Sequence, residues 1–235
     1  MEKIFNLIYS SNQYKITRKS TKVIFIAPFV LIFVVAGILL VPLTRSYGFW
    51  LLEENGPVEM LTFIISMIGG VYGIFFILKN HKILGVGAII FYSIFSFFLI
   101  LIAMEEIAWG QWFFHFETPE NWAKINVQGE TTLHNLKGIQ GENGYLRFGF
   151  GLGGFFGVLL KYFNRLNKIN APFCLISWFI IFMLWTKLDV LTDRLTLDSG
   201  VLNASYEMTE LIELLIVGSA FLYLLLNFRM LKFNK

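Results

Sequence analysis

The chain has 235 residues, of which 56% are hydrophobic and only 15% charged, with a mean hydropathy of +0.66. Soluble domains carry roughly a quarter charged residues, so this composition excludes an ordinary soluble globular protein. The net charge of +3 is uninformative as a total; the sequence has no dense basic patch interleaved with aromatics outside the apolar runs, so no nucleic-acid partner is expected.

The segment 1–22 carries Lys3, Lys15, Arg18, Lys19 and Lys22 against the single acid Glu2. It reads as a cytoplasmic N-terminal segment, either a loose tail or a short amphipathic helix on the membrane surface. The first apolar run, 23–43, exceeds the roughly 7–15 residues of a signal-peptide core and is expected to be an uncleaved spanning helix. Further spans are expected at 57–78, 83–104, 145–163, 171–191 and 209–228. Each is close to the roughly 20 residues that cross the hydrocarbon core of a bilayer.

Summed over alternate connections, thirteen Lys and Arg fall on one side and six on the other. Glu2 is the one acid on the basic side; the other fifteen lie on or near the opposite face. The positive-inside rule then gives six helices with both termini cytoplasmic. The expected fold is an all-α integral membrane protein: a six-helix domain over 23–228 with one structured outer loop, 105–144, and a cytoplasmic tail, 229–235. The expected location is a bacterial inner membrane, with the outer loop in the periplasm and the lipid bilayer as its first partner.

The lone Cys174 excludes an intramolecular disulfide and reads as a small buried hydrophobe. The glycine run beginning at Gly149 matches a dinucleotide fingerprint in letters only, because no strand precedes it. Gly149, Gly153 and Gly157 stand at four-residue spacing and are expected to let a neighbouring helix approach closely, as are Gly69 and Gly73. His81, between basic residues in a short turn, reads as an interfacial surface residue.

The chemistry is expected between Met104 and Asn135. Glu105 and Glu106 end the third span, at the helix end where a negative charge is unfavourable and needs compensation. Trp109 and Trp112 suit interfacial anchoring. Gln111 and His115 share a face if their segment is helical. Thr118-Pro119-Glu120 has the form of a helix start, with Thr118 as the cap. If 130–137 is helical, Glu130 and His134 stand at i and i+4, where they could share a divalent metal or work as a carboxylate-oriented base. Gln128 and Asn135 lie beside them. Asp189 and Asp193 near the end of the fifth span, and Glu207, Glu210 and Glu213 running into the sixth, bring further acids to the same depth. Lys187, Arg194 and Arg147 are the available counter-charges. Ionisable groups at membrane depth are costly and usually face a bundle interior or a polar cavity.

The runs Glu105-Glu106-Ile107-Ala108-Trp109-Gly110-Gln111, Thr118-Pro119, Asn126-Val127-Gln128-Gly129-Glu130 and Leu133-His134-Asn135 resemble a family of uncharacterised bacterial multi-pass membrane proteins. Its pattern is approximately E-E-I-x-W-G-Q, then N-x-Q-G-E and L-H-N. The resemblance covers about the central quarter of the chain; it implies an integral bacterial membrane protein and no particular activity. Glu105-Glu106 also matches the opening of the E-E-x-x-x-R motif of CAAX-type intramembrane proteases, but Gly110 stands where that motif has Arg.

Three functions remain open on the sequence. The first is a metal-assisted hydrolase or transferase acting on a lipid or lipid-linked substrate. In it Glu106, Glu130 and His134 hold a divalent metal such as zinc, or Glu105, Glu106, Glu130 and His134 form an acid/base set. Gln111, His115, Gln128, Asn135, Asp189, Asp193, Glu210 and Glu213 would support or orient the substrate. The second is a cation-binding transporter or sensor. The third is a scaffold subunit that docks a membrane-protein partner.

Overall fold

The computed structural model describes residues 14–138, 143–163, 166, 168–192 and 199–233. Among these residues the structure is helical, with a single isolated bridge between Asn126 and Leu136. Five helical stretches are long and apolar enough to cross a membrane: Arg18–Leu40, Arg45–Asn80, Val86–Glu106, Phe173–Thr192 and Gly200–Lys232.

Helix α1 (Arg18–Leu40) starts at Thr17, whose hydroxyl accepts the Ser20 N–H at 3.1 Å. Pro28 lies inside this helix and cannot donate to the carbonyl of Ile24 four residues back. The Trp178 indole N–H fills that vacancy at 2.8 Å, and the Ser177 hydroxyl donates to the neighbouring carbonyl of Phe25 at 2.7 Å. In a hydrocarbon environment an unsatisfied carbonyl costs several kcal/mol, so these two donors fix how α1 sits on the rest of the bundle.

The connection after α1 holds a helix the sequence reading missed, α2 (Arg45–Leu52). Asn55 with φ of 65° and the turn at Gly56 then lead into α3 (Pro57–Asn80). Helix α4 (Val86–Glu106) packs along α3. The small residues expected to permit this do so: a Cβ on Gly73 would meet the Ser96 hydroxyl at 2.1 Å, and one on Gly69 would meet Leu99 at 3.2 Å.

Beyond α4 come two one-turn helices, α5 (Gln111–Phe114) and α6 (Glu120–Ala123), then α7 (Asn143–Leu159). Helix α8 (Ile176–Thr192) is entered through a 3-10 turn, Phe173–Leu175, and α9 (Ser199–Phe233) closes the chain. Helix α7 packs on α8, and α9 lies against both α3 and α8. The apolar window of α9 is 61% buried and that of α1 only 11%, so α9 is the central helix and α1 a peripheral one.

The fourth expected span, 145–163, corresponds to α7, 17 residues long, continued by a 3-10 turn, Leu160–Tyr162; it is not among the five stretches above. The glycine face of α7 is also not the expected one. A Cβ on Gly149 or Gly153 would meet nothing within 4 Å, whereas Gly154 faces the Phe179 ring at 2.4 Å and Gly151 the Phe179 carbonyl at 2.8 Å. Gly157, at 3.3 Å from Ala171, is in contact as expected. Cys174 is buried in the apolar core, as read from the sequence.

The two ends of the bundle differ. At one end the connection 168–170 is held by tyrosines and asparagines. At the other, the segment after α4 folds over the ends of α3, α4, α7 and α9 around a cavity.

Candidate functional site

Helix α4 ends because three successive residues, Ala108 (φ 44°), Trp109 (φ 55°) and Gly110 (φ 93°), adopt left-handed backbone. Only Gly110 does so freely; Ala108 and Trp109 cost roughly 1–2 kcal/mol each. The Thr131 hydroxyl donates to the Ala108 carbonyl at 2.6 Å, and the Trp109 indole donates to Glu105 at 2.6 Å. This reversal turns the chain back over the helix end that carries Glu105 and Glu106.

Two side-chain amides organise the returning loop. The Gln111 amide nitrogen donates to the Phe116 carbonyl and the Thr118 hydroxyl at 3.1 and 2.9 Å, while its oxygen accepts the Thr131 N–H at 3.1 Å. The Asn126 oxygen accepts the N–H groups of Gln128 and Glu130 at 3.0 and 3.1 Å, and its nitrogen donates to the Thr132 carbonyl at 2.9 Å. Asn side chains of this kind replace backbone partners and stabilise turns. The residues 130–137 are therefore not helical, and the expected i, i+4 pairing of Glu130 with His134 on one helix face does not form. Thr118 does not cap α6; its hydroxyl is taken by Gln111, and Pro119 holds the cap position.

The two adjacent glutamates have opposite surroundings, as expected of neighbours about 100° apart around a helix. Glu105 is fully engaged. One oxygen accepts the Trp109 indole; the other accepts the N–H groups of Leu133 and His134 at 2.7 and 3.1 Å and lies 3.1 Å from His134 Nδ1. These donors are the compensation that a carboxylate at a helix C-terminus requires. Glu106 faces the cavity and takes no hydrogen bond from any described residue.

The cavity has a volume of about 480 Å³, within the range of small-molecule sites. Its acids come from several elements: Glu54 from the connection after α2, Glu59 from α3, Glu105 and Glu106 from α4. Glu130 arrives on the loop, and Glu210 and Glu213 on α9. The cations facing them are few. The Arg147 guanidinium donates to Asp189 at 3.1 Å and Glu213 at 3.3 Å, tying α7 to α8 and α9. His134 is the second basic group. Phe98, Leu101 and Ile102 from α4, with Leu146 and Phe150 from α7, form an apolar wall.

Titration follows from this geometry. Burial opposes charge on His134, but the hydrogen bond and charge of Glu105, reinforced by Glu213 and Glu130, outweigh it and raise the imidazole above its ordinary range. Burial, with the Glu54 charge added and His134 opposing, holds Glu130 above the usual carboxylate range.

The structure thus brings Glu105, Glu106, Glu130, His134, Gln128, Asn135, Glu210 and Glu213 to one cavity. Asp189 is not in the cavity lining and accepts from Arg147, which is. Gln111 is a strut of the loop. His115 has φ of 52° at the end of α5 and is exposed, away from the cavity lining; its expected face was lost because the helix stops at Phe114. Asp193 lies outside the described residues. Among the described residues no group of three His, Cys, Asp or Glu side chains is placed to hold a metal ion, so the expected set Glu106, Glu130 and His134 shares a cavity without forming a ligand cage. Glu54 and the hub residue Asn126 were missed by sequence reasoning. The signals were present, in Glu53-Glu54 just before the Gly56-Pro57 helix start and in the spacing of Asn126 to Gly129.

No protein-family model matches the chain, and no curated protein or solved structure matches it either.

Proposed function

We propose that this is a six-span inner-membrane protein whose acidic end faces the periplasm and binds a cation within the outer half of the membrane, as a sensor or transporter does. The alternation of basic and acidic connections supports the orientation. The short helix α7 fits a sixth crossing because Arg147 near its start meets Asp189 and Glu213, while Gly157 near its end meets Ala171 at the opposite end of the bundle.

The observation that carries the reading is the charge balance of the cavity. Seven carboxylates line it against Arg147 and His134, and Arg147 is already engaged by two acids. Carboxylates gathered at low dielectric repel one another and favour any positive guest. A phosphate headgroup would meet that repulsion directly, which weighs against an anionic lipid as substrate. The test is calorimetric titration of the purified protein with sodium, calcium, zinc and butylamine, on wild type and Glu106→Gln. Saturable binding of one of them, weakened at least about tenfold by the substitution, a loss of about 1.4 kcal/mol, supports the reading. Silence across the panel overturns it.

A second reading has its own observation. A carboxylate fixed by three other donors and set against His134 Nδ1 is how an imidazole is oriented for acid–base work. A hydrolase or transferase would use His134 as the base and Glu106 as the acid. Turnover of an uncharged or cationic ester or amide lipid that is lost in both His134→Ala and Glu105→Gln would favour it over simple binding.

A further inference from the structure

The carboxylates occupy only one side of the cavity. The other side is the apolar wall of α4 and α7, and that wall continues to the outside of the molecule. Phe98 on α4 and Leu146 on α7 both line the cavity and are 54% and 73% exposed. Helix α4 packs on α3 and α7 packs on α8, with no comparable packing of α4 on α7. The cavity therefore runs toward the lipid-facing surface between these two helices.

Glu106, at the inner side, is half-buried. It faces the cavity and has no partner among the described residues. The same holds for Glu210, one helix away on α9. Two half-buried carboxylates with neither donor nor counter-ion among the described residues are the groups most in need of a partner from outside. A small inorganic ion would satisfy them but would leave the apolar wall unused, and no three ligands are gathered for a metal among the described residues. A zwitterionic phospholipid would bring a phosphate into a field of carboxylates.

Resting on the cation-binding reading above, we infer that the occupant is an amphiphilic amine. Its ammonium head sits between Glu106 and Glu210. Its hydrocarbon chain lies along Phe98, Leu101, Leu146 and Phe150 and leaves toward the bilayer between α4 and α7. Ammonium–carboxylate hydrogen bonds hold the head, and each buried methylene adds affinity. The amine enters sideways from the membrane rather than through the loop.

The experiment is thermal unfolding of the full chain in neutral detergent with dodecylamine, dodecanol, dodecanoate and butylamine. The three dodecyl compounds share one chain, so contrasts among them isolate the head. Dodecylamine at saturation is expected to raise the melting temperature by on the order of 5 °C, with dodecanol and dodecanoate without effect. Butylamine is expected to require at least about a hundredfold higher concentration for the same shift. Glu106→Gln, checked for monodispersity, should weaken dodecylamine about tenfold, and Leu146→Trp, which narrows the gap, should shrink the advantage of dodecylamine over butylamine. If butylamine matches dodecylamine, the cation reading stands and the amphiphile inference falls. If dodecanoate or dodecanol matches dodecylamine, the charge argument behind both falls. If none of the four shifts the transition, both fall.

Discussion

The two ends of this bundle are both rich in polar side chains, yet they solve the problem of polarity in a membrane differently. At the end away from the cavity, three successive backbone carbonyls of the connection before α8 are each met by a donor. Tyr92 donates to Lys168 and Tyr223 to Ile169, both at 2.7 Å, while Asn227 donates to Asn170 at 3.3 Å. Tyr14 adds a bond to the Asn170 side chain at 3.1 Å. The groups are neutral and buried, and their donors are engaged, with Asn227 Oδ1 left without a partner among the described residues. At the cavity end carboxylates outnumber Arg147 and His134, and several lack any partner among the described residues. A neutral network whose donors are engaged stabilises a fold; carboxylates gathered without partners cost stability. The difference is the ground on which binding is proposed for the acidic end.

That contrast can be broken by substitution. The largest effect is expected at the Arg147 charge clamp of the acidic end. Arg147→Met breaks the contacts to Asp189 and Glu213 and should cost about 3 kcal/mol, seen as a large fall in melting temperature. A negligible change would mean that the acids there do not depend on it. Next, Tyr223→Phe removes the donor from the Ile169 carbonyl and should cost about 2 kcal/mol while cation binding is unchanged. Loss of binding in this variant would mean that the two ends are coupled.

Glu106→Gln should act in the opposite sense. It relieves repulsion, so the unliganded protein should unfold at the same or a slightly higher temperature, with a gain of up to about 1 kcal/mol. A drop in stability of that size would mark Glu106 as structural.

The smallest effect concerns pH. His134 and Glu130 both titrate above their unfolded values, so each holds its proton more tightly in the folded chain. Their stabilisation is complete below the unfolded pKa values and is lost as pH rises through the folded ones. For His134 that loss falls above about pH 6.5. Melting temperature should therefore decline with rising pH in this window, and less so in His134→Ala. A rise over the same window in the wild type would contradict the pairing with Glu105.

Much of this was legible in the sequence. The spanning segments follow from apolar runs of the right length, and the gathering of acids at one end follows from their alternation along the chain. The limits are equally physical. Glu130 and His134 look like a helical pair because their spacing allows one, but the Asn126 side chain takes the N–H groups of Gln128 and Glu130 and closes a turn instead. The run of glycines in α7 is dense enough to offer more than one small face, and spacing alone did not choose that of Gly151 and Gly154. Glu105 and Glu106 read as equals; only the folded loop, which spends its donors on Glu105, separates the strut from the unpartnered acid.

The most direct test of the central claim is equilibrium binding of a simple amine to the acidic end. Titrating butylamine into the purified protein should give saturable binding to a single site. Glu106→Gln should weaken it about tenfold, a loss of about 1.4 kcal/mol, and Tyr223→Phe should leave it unchanged. Binding that does not saturate, or that is indifferent to Glu106, would contradict the assignment of function to this cavity.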